Sequence, residues 1–277
     1  MLDFLKAVLF GIVEGITEWL PVSSTGHMIL LNEFVKMDVS PAFWEMFLVV
    51  IQLGAIIAVV ILFWDKIFPF HVARHEREKN GLLKMKTIRL WGLALIACVP
   101  AAVVGVLFDD VLDELFYHWY VVAISLIVFG IAFIVIEQWN RGRKARVSRL
   151  SQLTVRDALI IGAFQLIAAV FPGTSRSGAT IVGALLIGVS RTVAAEFTFV
   201  LAIPVMAGAS LLKLLKFGFA FTGTEALILL GGMVSAFLVS LLVIRMLMRF
   251  IRTHDFKIFG YYRIALGLIV IAYFVLR

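Results

Sequence analysis

Two acidic side chains interrupt the first apolar stretch of the chain. Glu14 and Glu18 are four residues apart, so a helix would place them on one face. Carboxylates inside an apolar segment are costly and usually face a cavity or a charged partner. The pair therefore predicts either oxygen ligands for a divalent cation or a carboxylate that accepts a proton. An interfacial helix whose acids only touch water is the less specific interpretation.

A polar turn follows these acids at Pro21. Ser24 and His27 are three residues apart, and a hydroxyl beside a histidine is the minimal pair for nucleophilic attack. If a second helix begins here, Ser23 or Ser24 caps it, and its free N–H groups favour an anion. For Ser23 the capping role is favoured over a direct chemical role. The candidate phosphate-binding residues of this turn are Ser23, Thr25 and Gly26.

A second polar turn opens at Pro172 and carries one strong charge, Arg176. A guanidinium binds phosphate oxygens in a bidentate manner. A glycine-mediated helix contact, with Arg176 reaching to the membrane surface, is less favoured because this turn lies between two apolar runs. The candidate phosphate-binding residues here are Thr174, Ser175, Ser177, Gly178 and Thr180.

The composition indicates that lipid is the solvent for most of the chain. Of the 277 residues, 62% are hydrophobic and only 16% are charged, whereas a soluble domain of this length needs a more polar surface. The net charge is +7, and the basic residues lie between long apolar runs. This pattern favours the inner face of a membrane over a nucleic acid partner. Cys98 is the only cysteine, so no intrachain disulfide can form.

Six apolar stretches are long enough to cross a bilayer core of about 30 Å, which needs about 20 helical residues. They are 44–64, 90–108, 118–137, 195–215, 225–247 and 259–276. Segments 1–42 and 155–192 differ, because each breaks at a proline and then continues with a second apolar run. We interpret both as re-entrant helical hairpins. The sequence therefore predicts an all-α polytopic membrane protein with six transmembrane helices and two re-entrant hairpins.

The charges between the spans predict the orientation. Segments 65–89 and 140–156 are rich in Lys and Arg, as is the stretch after the fifth span, whereas 109–117 carries four acids and no basic residue. The positive-inside rule places the basic segments in the cytoplasm. Both termini then lie outside, the first hairpin enters from outside, and the second enters from the cytoplasm.

The two halves of the chain, 1–139 and 152–277, match at a constant offset of 151 residues. Each half contains one hairpin and three spans, and because three is odd the halves lie in opposite orientations. The chain is thus predicted to be a single membrane domain, 1–277, built as an inverted-topology repeat whose broken helices meet near the midplane. The identical pairs include Gly11 and Gly162, Pro21 and Pro172, Ser24 and Ser175, and Glu45 and Glu196.

The motifs E-G-I-T-E-W-L-P-V-S-S-T-G-H at 14–27 and P-G-T-S-R-S-G-A-T at 172–180 resemble those of the undecaprenyl-diphosphatase family, also called the bacitracin-resistance protein family. The resemblance covers nearly the whole chain. It implies hydrolysis of undecaprenyl diphosphate to undecaprenyl phosphate and inorganic phosphate, which recycles the lipid carrier of cell-wall synthesis. It also implies a multi-pass protein of the bacterial plasma membrane with a site open to the outer, periplasmic side.

The resemblance further implies roles for individual residues. It makes Glu18, Ser24, His27 and Arg176 the candidate catalytic residues. It implies dependence on a divalent cation, magnesium or calcium, which we assign to Glu14 and Glu18. The residues that match the family's motifs are Glu14, Glu18, Ser24, His27, Ser175, Arg176 and Thr180.

Several alternatives stay open on the sequence alone. Ser24 can attack phosphorus with His27 or Glu18 as its base, His27 can attack directly, or water can attack. The strongest alternative function is a transporter or flippase of a phosphorylated polyprenyl lipid, since inverted repeats with broken helices are typical of transporters. The apolar faces are compatible with a homodimer.

Four further polar residues lie in or near the spans. Arg263 is deep enough to be considered a second phosphate contact, and Gln52 is expected to bond between helices. Glu45 and Glu196 lie at predicted span ends, where exposure at the membrane surface is the expected state.

Overall fold

The computed structural model describes residues 1–71 and 81–276, without the side chains of Asp109, Asp110 and Asp113. Those acids contribute to the predicted acidic segment, and Arg74, Arg77 and Lys79 contribute to the first basic loop. All six side chains lie outside the described part of the chain.

The regular elements of the described ranges are helices. The first half contains α1 Leu2–Thr17, α2 Ser24–Phe34, α3 Pro41–Val50, α4 Gln52–Leu62, α5 Trp64–Ile67, α6 Met85–Phe116 and α7 Trp119–Trp139. The second half contains a 3-10 turn, Leu150–Gln152, followed by α8 Val155–Val170, α9 Arg176–Leu186, α10 Arg191–Phe217, α11 Gly223–Phe250 and α12 Lys257–Leu276.

Six of these stretches are long and apolar enough to cross a membrane. They are Pro41–Leu62, Met85–Phe108, Trp119–Trp139, Arg191–Phe217, Gly223–Phe250 and Lys257–Leu276. The predicted all-helical membrane protein with six spans is therefore confirmed. The segment 109–117 was predicted to connect two spans, and the structure differs because α6 continues to Phe116. This extension contains no proline or glycine, so nothing in it stops the helical hydrogen bonds at the end of the apolar span.

Each of the two proline-containing breaks is closed by a serine that caps the next helix. Ser23 adopts φ 73° and accepts a hydrogen bond from the Gly26 N–H. Ser175 adopts φ 68° and accepts from the Gly178 N–H. The capping serines are 152 positions apart, one more than the prolines. The second turn therefore has one extra residue, and Gly173 at φ 88° accommodates it in a conformation that favours glycine.

The helices that precede the breaks pack against spans of the other half of the chain. Helix α1 lies along α11, and α8 lies along α6. At the first contact Gly11 meets the carbonyl of Gly232, and at the second Gly162 meets the carbonyl of Ala97. A side chain at either glycine would overlap this backbone, so the close approach of the helices requires glycine there.

A buried aromatic cluster packs against the first turn. The rings of Trp19 and Phe199 meet edge to face at 5.3 Å, and Phe63 meets Phe199 in the same way at 5.9 Å. Trp19 and Phe199 are fully buried. The first turn therefore packs against the ring of Phe199 on α10, which in turn contacts Phe63 just after α4.

We expect Gly11→Ala to lower stability, because the new methyl group would meet the Gly232 carbonyl and the Ser235 hydroxyl. Overpacking of this kind costs about 1–3 kcal/mol. Gly208→Ala on α10 is the matched control, since nothing lies within 4 Å of the added carbon. Thermal unfolding of both variants in detergent measures the difference, and equal midpoints would refute the close contact.

Candidate active site

The two turns meet at the guanidinium of Arg263 on α12. This side chain is fully buried. Its N–H groups donate to five backbone carbonyls, those of Pro21, Ser125, Leu126, Gly173 and Thr174, at 2.8–3.4 Å. Arg263 therefore joins the first turn, the second turn and α7. These bonds give Arg263 a role in holding the turns, and a phosphate contact at Arg263 stays a prediction.

A hydrogen-bonded chain of three side chains connects the turns. The Ser24 hydroxyl donates to Glu18 Oε2 at 2.8 Å, and Arg176 Nη2 donates to Glu18 Oε1 at 2.9 Å. Arg176 Nη1 also donates to the Thr198 carbonyl at 3.1 Å, and its planar head lies 6.0 Å from the Trp19 ring. The carboxylate of Glu18 thus holds the hydroxyl of one turn and the guanidinium of the other.

Two polar atoms at this junction are left without partners. Glu14 and Glu18 are almost completely buried, at 1% and 7% exposure, and Arg176 pairs with Glu18. Glu14 Oε1 and Arg176 Nε are buried without a hydrogen-bond partner among the described residues. A buried polar atom without a partner is costly. The site therefore has a carboxyl oxygen of Glu14 that is available as a ligand for a cation.

Glu14, Ser24 and Thr25 line a cavity of about 620 Å³. Its far wall carries polar residues from several helices, namely Glu45 on α3, Gln52 on α4, Glu114 and Tyr117 near the end of α6, and Lys213 on α10. The capped N-terminus of α2 reaches this cavity. The first N–H groups of a helix have no hydrogen-bond partner within that helix. The cavity thus offers an oxyanion both helix N–H groups and polar side chains.

A divalent cation fits the donor set only in part. The unpartnered oxygen of Glu14 is a hard oxygen ligand, as magnesium and calcium require. The described residues contain no group of three His, Cys, Asp or Glu side chains placed to hold a metal. Magnesium is commonly held by one or two carboxylates together with substrate phosphates. Glu14 and Glu18 therefore fit a cation that a phosphorylated substrate helps to bind.

His27 lies apart from Ser24. Its Nδ1 is 2.7 Å from the Ser23 carbonyl, and its Nε2 is 2.7 Å from the hydroxyl of Tyr262. Because a carbonyl only accepts, Nδ1 carries the proton, and in the neutral ring Nε2 accepts from the Tyr262 hydroxyl. The two rings also stack, at 5.7 Å. His27 therefore lines a different, largely apolar cavity of about 950 Å³ between α1, α11 and α12.

Most of the other predicted phosphate-binding residues make hydrogen bonds within the protein. Ser177 donates to the Glu18 carbonyl at 3.1 Å, and its hydroxyl lies 3.1 Å from that of Ser175. Thr180 is fully buried and bonds the Thr198 hydroxyl at 2.8 Å. The Thr174 hydroxyl is buried without a partner among the described residues. Their direct role in phosphate binding stays a prediction, as do the roles of Ser23, Thr25, Gly26 and Gly178.

Several residues of the site were not identified from the sequence. Tyr262 gives no local signal, because tyrosine near the end of a span is common at membrane surfaces. Lys213, a cation within a predicted span, is the kind of residue that usually marks a functional site. Glu45 is exposed, as expected, and it lines the cavity together with Gln52, which was expected to bond between helices. Glu196, the repeat partner of Glu45, binds Lys66 on the opposite face.

Comparison with known proteins identifies the class of protein that carries this site. Residues 7–269 match the family model described as bacitracin resistance protein BacA. The chain belongs to this family, whose match covers nearly its entire length.

Relatives are similar over the full chain. The undecaprenyl-diphosphatase of Desulfitobacterium hafniense is 61% identical over 100% of this chain and 98% of its own length. Undecaprenyl-diphosphatase 1 of Clostridium acetobutylicum is 59% identical over 99% of this chain and 98% of its own. An undecaprenyl-diphosphatase of Enterococcus faecalis is 56% identical over 98% and 96%.

We expect Arg263→Leu to destabilise the protein strongly, because the carbonyls of both turns would lose their donor inside an apolar environment. Removing one partner from a buried charged network costs about 3–5 kcal/mol. Arg252→Leu removes the same charge from an exposed position just after α11 and serves as the control. Unfolding midpoints in detergent that fall equally for both variants would contradict the joining role of Arg263.

Proposed function

We propose that the protein is an integral-membrane phosphatase that hydrolyses undecaprenyl diphosphate to undecaprenyl phosphate and inorganic phosphate. The observation that carries the proposal is the chain from Ser24 through Glu18 to Arg176 beside a polar cavity. Homologues 51–61% identical over almost their full length are named undecaprenyl-diphosphatase, which agrees with this chemistry. The product would return to cell-wall synthesis as the lipid carrier.

Ser24 is the proposed nucleophile and Glu18 the proposed base. The Ser24 oxygen attacks the terminal phosphorus, its proton passes to Glu18 Oε2, and the bond to the bridging oxygen breaks to release undecaprenyl phosphate. Water then attacks the phosphoserine, and inorganic phosphate leaves as the Ser24 oxygen regains a proton. The distance of 2.8 Å between Ser24 and Glu18 supports this choice over His27, whose nitrogens face Ser23 and Tyr262.

Arg176 and the helix N-termini would stabilise the transferred phosphoryl group. Charge moves onto the leaving phosphate as the bond breaks, and preorganised donors lower the energy of that state. Arg176 Nε has no partner among the described residues and Nη2 is shared with Glu18, so the guanidinium would be released to bind phosphate when Glu18 takes up the proton. A divalent cation held by Glu14 and Glu18 would add positive charge against the phosphate oxygens when bound.

The architecture we propose for this activity is an inverted-topology repeat with two re-entrant hairpins, α1 with α2 and α8 with α9. The packing supports it, because the first helix of each hairpin lies along a span of the other half of the chain. Helix α1 lies along α11, and α8 lies along α6. The matching serine caps at Ser23 and Ser175 support it further. The polar cavity lies toward Glu114 and Tyr117, on the side of the acidic segment. We therefore place the active site and both termini on the outer side of a bacterial plasma membrane.

Ser24→Ala is expected to reduce turnover by about a hundredfold or more with little loss of stability, because it removes the attacking oxygen. Ser23→Ala is the matched control. It removes the helix cap, which costs about 1 kcal/mol of stability, and leaves the attacking hydroxyl in place. Phosphate release and unfolding midpoints of both variants separate the two roles. Near-normal turnover of Ser24→Ala would eliminate the serine as nucleophile.

Detergent-purified protein is expected to release phosphate from an isoprenyl diphosphate and to lose this activity with a chelator. Glu14→Gln should weaken the dependence on cation concentration, because it replaces the unpartnered carboxylate oxygen with a neutral amide. Glu225→Gln, at the exposed cap of α11, is the control. Absence of release by folded wild-type protein would favour the transporter alternative, since detergent leaves no compartments to transport between.

A further inference from the structure

A third cavity, of about 450 Å³, opens on the face of the basic loops. It lies between α5, the first turns of α6, the 3-10 turn and the start of α10. Its wall carries four cationic side chains and four hydroxyls around one carboxylate. These residues are Lys66, Lys86, Arg89, Arg149, Thr87, Ser148, Ser151, Thr192 and Glu196. We refer to it below as the basic cavity.

The basic cavity is separate from the proposed active site. Helix α6 contributes Lys86 and Arg89 to it from its first turns, whereas the same helix contributes Glu114 to the active-site cavity from its last turn. At about 1.5 Å per helical residue, these ends of α6 are about 40 Å apart. The two cavities therefore lie on opposite faces of the membrane, and no step of the proposed hydrolysis uses the basic cavity.

The charges that surround the basic cavity are only partly compensated. Lys66 pairs with Glu196 at 2.7 Å. Arg89 is held by the carbonyls of Ser151 and Leu153, which orient it but carry no net charge. Within the described ranges, no carboxylate forms an ion pair with Lys86, Arg89 or Arg149. Among the described residues, three cations therefore face one concave space without a carboxylate partner of their own.

Mutual repulsion of these cations is relieved when an anion enters between them. The guanidinium group of Arg149 matches the fork geometry of phosphate oxygens, and Lys86 adds a mobile point charge. Arg89, which is held by the two carbonyls, adds positive charge beside them. Hydroxyls such as those of Ser151 and Thr192 can donate to the remaining oxygens. A tetrahedral dianion satisfies this donor set better than a single carboxylate does.

We propose that the basic cavity is a binding site for a phosphate group. The group comes either from the headgroup of an anionic phospholipid, since the cavity lies at the membrane surface, or from free inorganic phosphate. The assignment rests on the geometry of the cavity and is independent of the proposed diphosphatase activity.

The test compares two double variants of the full-length protein in detergent. Lys86→Gln with Arg149→Gln removes two cations that line the basic cavity. Lys84→Gln with Arg156→Gln removes two cations from the same face that do not line it. The first arm follows the unfolding midpoint during titration with inorganic phosphate at constant ionic strength. The second arm counts phosphatidylglycerol and phosphatidylcholine molecules retained by each variant in native mass spectrometry.

We expect the cavity variant to bind phosphate or phosphatidylglycerol about tenfold or more weakly than wild type, while the control variant matches wild type. Loss in the lipid arm alone identifies the phospholipid headgroup, loss in the phosphate arm alone identifies inorganic phosphate, and loss in both shows that the site takes either. An identical response of the cavity and control variants in both arms overturns the proposal.

The single variants Lys86→Gln and Arg149→Gln replace the double variant if the unfolding midpoint of the double variant without ligand is lower than that of wild type. Turnover should be unchanged, because the active site lies at the other end of α6.

Discussion

The contact between the Arg263 guanidinium and the carbonyls of the two turns is the constraint on which the site depends. Breaking two helices inside a packed apolar interior leaves carbonyls that need hydrogen-bond donors. Arg263 donates to carbonyls of both turns and to two carbonyls of α7. The cost of burying its charge is offset by these carbonyl dipoles, and the result fixes the turns relative to each other.

Once the turns are fixed, the polar chemistry follows from their proximity. Glu18, at the end of α1, comes within hydrogen-bond distance of Ser24 on one turn and Arg176 on the other. One carboxyl oxygen of Glu14 remains beside them without a hydrogen-bond partner among the described residues. A bound cation and a phosphorylated ligand would together provide partners for this oxygen and for Arg176 Nε.

The chain also distributes its polar side chains among separate cavities. His27 contacts Tyr262 in the apolar cavity, although it lies only three positions after Ser24 in the sequence. Glu45 and Glu196 match in the sequence repeat, yet Glu45 lines the active-site cavity and Glu196 pairs with Lys66 in the basic cavity. The two halves therefore share a packing scheme, but the side chains that they present at opposite faces have different electrostatic character.

The sequence by itself determined the membrane class, the six spans and the two breaks, because apolar length and proline act locally along the chain. It also identified Glu14, Glu18 and Arg176 as candidate site residues, because ionisable residues in apolar segments need a partner. Ser24 was identified because it lies in the polar turn that follows the two acids. Only the tertiary structure decided that Ser24 pairs with Glu18 and His27 with Tyr262. It alone decided that Arg263 binds carbonyls. The reason is physical: these contacts depend on side-chain direction and on packing between helices, and most of them join residues more than a hundred positions apart, which no local pattern specifies.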